Sequence, residues 1–109
     1  MANALKTLTD TAVGTSAATI YTCPASTETT IIGMNIANIL TVSITVDVQL
    51  ENDDGDNVYL VESAIVPVGS SLVAVGGDQK IVMNAADVLK VTASQASAAD
   101  VTLSVLEIT

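Results

Sequence analysis

The sequence predicts an all-β fold: a single antiparallel β-sandwich of jelly-roll type with 8 to 9 short strands. Half of the 109 residues are apolar, and Val, Ile and Thr are abundant. Branched Cβ atoms suit a pleated sheet better than a helix. There are two Tyr and no Phe or Trp, so the core must be aliphatic. Apolar runs recur at spacings of roughly ten residues with turn residues between them, as in sandwiches and jelly rolls.

The clearest strand is residues 41–51, TVSITVDVQLE. Apolar and polar residues alternate strictly there, which is the period of a half-buried strand. An earlier segment, TTIIGMNIANI, is also predicted to be a strand, with Ile32, Met34 and Ile36 on one face. The other predicted strands lie in ALKTLT, ATIYTC, NVYLVESAIVP, SLVAV, KIVM, DVLKVTAS and DVTLSVLEIT.

Three details refine this pattern. Pro67 should terminate the strand before it, because proline has no N–H to donate. The segment NAADVL could form a single helical turn. In DVTLSVLEIT both faces are partly apolar, which predicts cover on both sides by the rest of the fold or by a neighbouring subunit.

No linker, repeat or charge block divides the chain, so we expect one β-sandwich domain over residues 1–109. The N-terminus lacks a signal-peptide pattern, and no apolar run approaches the ~18 residues of a membrane span. A soluble protein is therefore expected, with no membrane partner. The one cysteine, Cys23, is expected to be a buried structural thiol in a protein made in a reducing cytosol.

The charge and composition argue against several functions. The net charge is −9, with no Arg and three Lys, so no nucleic-acid partner is expected. The chain has no His, which removes the commonest acid/base group and metal ligand. The glycines form no phosphate-binding or dinucleotide fingerprint. We therefore expect neither an enzyme nor a bound cofactor.

The stretch ENDDGDN, residues 51–57, is the chain's most acidic. Asp53, Asp54 and Asp56 are weak candidates for a metal site. An EF-hand calcium loop has Asp at its first position, Gly at its sixth and Glu at its twelfth. If Gly55 is the sixth residue, the first is Leu50 and the twelfth is Val61, so neither end of the loop matches. Asp-Gly between two strand patterns is typical of a hairpin turn. The preferred interpretation is a solvated hairpin tip with no metal.

Four stretches together resemble small virion structural proteins of tailed bacteriophages. They are TIYTCPASTETTIIGMNIANI, VYLVESAIVPVGSSLV, KIVMNAADVLKVTAS and DVTLSVLEIT, which span about residues 19–109. The related sequences carry a Gly-Asp where this chain has Ala86-Asp87, which predicts a differently shaped turn. The resemblance carries over no catalytic residue.

The resemblance implies a capsid decoration (cement) protein that stabilises a shell by bridging major capsid subunits. The expected partners are the major capsid protein and further copies of this chain, with a homotrimer favoured. The expected location is the outer capsid surface, after synthesis in the host cytoplasm. One alternative is a neck, tail or fibre component. Another is a calcium- or sugar-binding β-sandwich module.

The N-terminal segment is the predicted contact with a neighbour. Residues 1–12 are expected to be an arm or first strand, with Leu5, Lys6 and Leu8 as interface candidates. The alternative, an ordinary first strand within its own subunit, remains open.

Overall fold

The computed structural model describes residues 3–76 and 80–109. The first two residues of the predicted contact segment, residues 1–12, lie outside these ranges. The described residues contain nine strands, which confirms the predicted all-β class. The strands are β1 (Asn3–Val13), β2 (Ala18–Thr22), β3 (Glu28–Asn38), β4 (Ile44–Glu51), β5 (Asn57–Val66), β6 (Ser71–Val75), β7 (Ile81–Met83), β8 (Val88–Ala93) and β9 (Ala99–Ile108). Within the described ranges, no helix has the length and apolar character needed to cross a bilayer.

The strands form two sheets that pack as a sandwich. The first sheet has the order β1-β9-β3-β6, with β7 also paired to β3, and the second has the order β2-β8-β4-β5. All pairings are antiparallel. The two orders interleave so that chain neighbours such as β1 and β2, or β3 and β4, occupy matching positions in opposite sheets. This is the wrapping of a jelly roll, with β7 as an added strand.

The core between the sheets is aliphatic, as predicted. On β4 the inward positions Ile44, Val46 and Val48 are each no more than 2% exposed, so the alternation in TVSITVDVQLE is confirmed. The strand begins later than the pattern suggests, since Val42 lies before it and is 52% exposed. Strand β5 ends at Val66, directly before Pro67, which confirms the predicted stop.

The predicted alternation on β3 is wrong at one position. The pairing of β3 with β9 shifts register between Ile31 and Gly33, which marks a β-bulge. One extra residue reverses the side-chain phase, so Ile31 joins Met34 in the core and Ile32 turns outward to 39% exposure. The predicted inward set of Ile32, Met34 and Ile36 therefore loses its first member.

Strand β9 lies at the centre of its sheet, between β1 and β3. Val101, Leu103 and Val105 on its inner face are at most 1% exposed. On its outer face Leu106 and Ile108 remain half-buried, so the chain itself covers only one face of this strand. Cover of the outer face by a neighbouring subunit stays a prediction.

The predicted helical turn in NAADVL is also wrong. Residues 84–87 form a tight turn closed by a 3.1 Å hydrogen bond from the Asp87 N–H to the Asn84 carbonyl, and β8 begins at Val88. Ala86 sits in this turn with a φ of 72°, the left-handed region that favours glycine. The turn thus keeps a glycine-like conformation with an alanine in it.

Ala86→Gly is expected to raise the free energy of unfolding by about 0.5 kcal/mol. Relief of left-handed strain gains about 1–2 kcal/mol, and the greater freedom of glycine in the unfolded chain removes about 0.4–1 kcal/mol of that gain. Ala86 is exposed, so little packing is lost. Urea unfolding of the purified variant measures the change.

Gly69→Ala is the matched control for that experiment. Gly69 has a φ of 75°, and an added Cβ would meet no atom within 4 Å, so strain is its main effect. A loss of roughly 0.5–1 kcal/mol is expected. Equal and unchanged stabilities for both variants would contradict the assigned backbone conformations.

Candidate assembly surfaces and a buried polar network

A polar network crosses the aliphatic core between the two sheets. Glu107 on β9 points inward and is 6% exposed. The Tyr21 hydroxyl, from β2 in the opposite sheet, donates to Glu107 Oε2 at 2.5 Å and lies 2.8 Å from Thr29 Oγ1. The phenol has one hydrogen and gives it to the carboxylate, so Thr29 donates to the Tyr21 oxygen. This chain of hydrogen bonds links three strands.

Strand β1 joins the same network through an ion pair. Lys6 Nζ lies 2.9 Å from Glu107 Oε1, with the lysine side chain about half exposed and the carboxylate buried. Each carboxylate oxygen therefore has one strong partner, as a buried charge requires. The pair fastens the edge strand to the strand beside it.

The network keeps both ionisable groups in one protonation state at neutral pH. Hydrogen bonds from Tyr21 and then from Lys6 lower the pKa of Glu107, and they outweigh its burial. Burial, followed by the hydrogen bond to Glu107, raises the pKa of Tyr21 well above its ordinary value. A neutral phenol held against an ionised carboxylate serves as a fixed structural contact.

Cys23 is buried next to this network. It is 1% exposed, and its thiol lies 3.3 Å from Thr29 Oγ1 and 3.4 Å from the Thr27 carbonyl. The prediction of a buried structural thiol is confirmed.

The three interface candidates occupy different environments on β1. Leu5 is on the outer face of the sheet and is 75% exposed. Lys6 is on the inner side and pairs with Glu107, and Leu8 is half-buried against the core. The segment is thus the first strand of its own subunit. Its second edge pairs with no described strand, so a contact with a neighbour stays a prediction for Leu5 and for that edge.

Leu5 belongs to a row of three apolar residues and one threonine that crosses the outer face of the first sheet. The strand registers align four residues, in the order Leu5, Leu106, Thr30 and Val82. Leu5 and Val82 are 75% and 59% exposed, and the middle two are half-buried. Exposed apolar patches on otherwise polar surfaces often mark interaction sites. We call these four residues the outer row.

The acidic stretch, residues 51–57, forms the tip of the hairpin between β4 and β5, which confirms the predicted hairpin. Gly55 has a φ of 102°, and its N–H donates to the Asn52 carbonyl at 2.9 Å. The Asp54 carboxylate accepts from the Asp56 N–H at 3.2 Å, which closes the turn. In residues 3–76 and 80–109, no three His, Cys, Asp or Glu side chains are grouped as a metal site would need.

Asp87 anchors this tip to the turn that holds Ala86. Its side chain is 2% exposed and accepts from the Asp53 N–H and the Asn84 N–H, both at 2.9 Å. Asp53, one of the metal candidates, thus contributes a backbone N–H to a local structural contact.

Sequence reasoning missed the Tyr21–Glu107 network, although a signal for it was present. Glu107 has the same phase on β9 as Val101, Leu103 and Val105, so the alternation places an acid inward. A buried carboxylate needs donors, and the chain offers only three Lys and no Arg. The choice of Lys6 and Tyr21 as those donors depends on the order of strands in the sheets.

Tyr21→Phe is expected to lower the free energy of unfolding by about 1–3 kcal/mol, because it leaves a buried carboxylate oxygen without its donor. Tyr59→Phe is the matched control, since Tyr59 is 52% exposed and should change stability little. Equal effects of the two variants in urea unfolding would contradict the network.

The network also predicts how stability depends on pH. Glu107 has a lower pKa in the folded chain than its ordinary 4.5, so its stabilisation is present above that pH and is lost as the pH falls through the folded pKa. Tyr21 has a raised pKa, so its stabilisation is present below its ordinary 10.0 and is lost as the pH rises further.

Thermal unfolding measured from acid to alkaline pH tests both signs. Glu107→Gln should weaken the acid dependence, and Tyr21→Phe should weaken the alkaline dependence. An unchanged acid limb in Glu107→Gln would show that this carboxylate has the same pKa folded and unfolded.

Comparisons with known proteins identify a similar fold. No protein family matches the sequence, and no curated protein matches it either. A similar fold occurs in a solved structure described as "Bacillus endospore appendages form a novel family of disulfide-linked pili". The TM-score is 0.56 at 18% identity, over 99% of this chain and 87% of that chain. At this identity the likeness supports the jelly-roll fold.

Proposed function

We propose that this chain is a non-enzymatic structural subunit of a larger protein assembly. The observation that carries the proposal is the edge of β1 beside the outer row, which pairs with none of the described strands. An edge strand offers unpaired N–H and C=O groups to another chain, and proteins that remain monomeric usually shield such edges. On the outer face of that edge strand lies Leu5, at 75% exposure, whereas the charge of Lys6 is directed to Glu107.

The specific form of the proposal is a capsid decoration protein. The support for it is the sequence resemblance to virion structural proteins over about residues 19–109. In this role the chain lies on the outer capsid surface and bridges major capsid subunits through the β1 edge and the outer row. Three copies around a threefold axis would each supply a weak contact, and simultaneous contacts raise binding far above one alone.

The chemistry of the chain fits a structural role. The sequence has no His and no Arg, and its one thiol is buried. Tyr21 and Glu107, two ionisable groups buried between the sheets, are hydrogen-bonded to each other and held in a fixed protonation state. The acidic hairpin tip adds surface charge, which keeps closely packed copies soluble.

A filament subunit is the second candidate, because the similar solved fold is described as coming from pili. That description names disulfide linkage, whereas Cys23 is 1% exposed in this chain. A filament of this protein would therefore be held together by noncovalent contacts. This candidate and the decoration protein use the same edge and differ in the partner.

Binding to a shell tests the first candidate. Purified protein mixed with capsids that lack it should bind at a fixed stoichiometry and raise their disruption temperature. Leu5→Glu should abolish binding, since it places a charge in the outer row. Thr9→Glu is the matched control, with the same charge on the same face of β1 but outside that row.

The outcomes separate the candidates. Saturable shell binding that Leu5→Glu alone removes supports the decoration protein. Filaments of the purified protein in electron micrographs, again lost in Leu5→Glu, support the filament subunit. A chain that stays monomeric at high concentration and binds no shell would overturn the structural role.

A further inference from the structure

The first part of β1 is held to its own subunit mainly by its pairing with one strand, β9. Among the described strands, residues 3–10 pair only with β9. Within this segment, which we call the arm, only Leu8 and Asp10 are half-buried, and the other six residues are exposed. The arm contributes no fully buried side chain to the core. Its attachment rests on backbone pairing, on the Lys6–Glu107 ion pair and on the partly buried Leu8.

A sharp junction separates the arm from the anchored chain. The pairing with β9 shifts register between Asp10 and Val13, and Ala12 adopts a φ of 55°. Beyond the junction Val13 is 3% exposed, and its carbonyl accepts from the Ala98 N–H at 2.9 Å. Left-handed alanine is strained, so an extended conformation at Ala12 would relieve strain. Thr11 and Ala12 are therefore the hinge residues, and opening there would also break the 3.0 Å hydrogen bond from the Ala12 N–H to the Asp100 carboxylate.

If the arm left, β9 would lack both a strand partner on that side and a cation for Glu107. Its edge would lose its backbone partners, and the buried Glu107 would lose its cation, which is strongly unfavourable. An incoming strand must therefore carry a lysine that reaches Glu107 while an apolar residue two positions later covers Leu103. The arm of a second copy meets both conditions with Lys6 and Leu8.

We propose that copies of this chain join by exchanging their arms, so that residues 3–10 of one copy pair with β9 of another and place Lys6 on that copy's Glu107. Exchange keeps the strand pairing of the arm and its ion pair with Glu107, and a short strained hinge favours it. The proposal rests on the structural role proposed above and names the contact by which copies assemble.

Charge reversal in two separate chains tests the exchange. Lys6→Glu sets two carboxylates together in one closed chain, and Glu107→Lys sets two ammonium groups together in the other. Refolded as a mixture, the two variants can restore both ion pairs only by exchanging arms. We expect a one-to-one heterodimer by native mass spectrometry, with a melting temperature above that of either variant alone.

The double variant, with Lys6→Glu and Glu107→Lys in one chain, is the control for the reversed pair. It restores the ion pair in cis and should not need a partner. If it folds while the mixture of single variants gives no heterodimer, the exchange is overturned.

Disulfide trapping tests the exchange with the ion pair intact. Leu5 and Leu106 face each other in the β1–β9 register, whereas Thr9 faces Thr102. Leu5→Cys chains refolded with Leu106→Cys chains should give a covalent heterodimer on mild oxidation. Thr9→Cys chains with Leu106→Cys chains should give at least tenfold less, because those positions are out of register.

The outcomes distinguish this proposal from the structural role. Register-specific linkage supports exchange. Oligomers or shell binding without that linkage overturn exchange and leave the structural role standing. Monomers that neither link nor bind overturn both.

Discussion

The hydrogen bond between the Tyr21 hydroxyl and the Glu107 carboxylate fixes how the two sheets face each other. Aliphatic packing is largely non-directional, and cores of Val, Ile and Leu tolerate rearrangement when volume is kept. A buried carboxylate restricts such rearrangement, because each of its oxygens must accept a hydrogen bond. Glu107 therefore selects a phenol from the opposite sheet and an ammonium group from the neighbouring strand. One carboxylate thus sets the relative positions of β2, β9 and β1.

The local alternation of apolar and polar residues was enough to predict the strands. It could not predict which residues far apart in the sequence contact each other. The alternation of Val46 and Val48 with polar residues reflects burial of one sheet face directly, so β4 follows from the sequence. Ile32 was misplaced because a bulge inserts one residue without changing composition. Tyr21 and Glu107 lie 86 positions apart, and only the strand order brings them together. The exposure of Leu5 likewise depends on the register in which β1 pairs with β9 at the edge of the sheet.

The jelly-roll order leaves the edges of the sandwich unequal. On β5 the pairing with β4 shifts register twice, and the Ser63 N–H is drawn to the Asp47 carboxylate, which twists that edge. Such irregularities discourage pairing with other chains. Along residues 3–10, by contrast, the pairing of β1 with β9 is regular. The irregular β5 edge thus disfavours pairing with another chain, whereas the regular β1 edge favours it, whichever larger assembly contains the subunit.

The two tyrosines give the molecule an optical property of its own. With no Trp and no Phe in the chain, Tyr21 and Tyr59 supply its near-ultraviolet absorption. Tyr21 is 5% exposed between the sheets, whereas Tyr59 is 52% exposed on β5. Near-ultraviolet circular dichroism needs a ring fixed in an asymmetric surrounding, so it will be dominated by Tyr21. Its spectrum is a direct readout of whether the sandwich is closed.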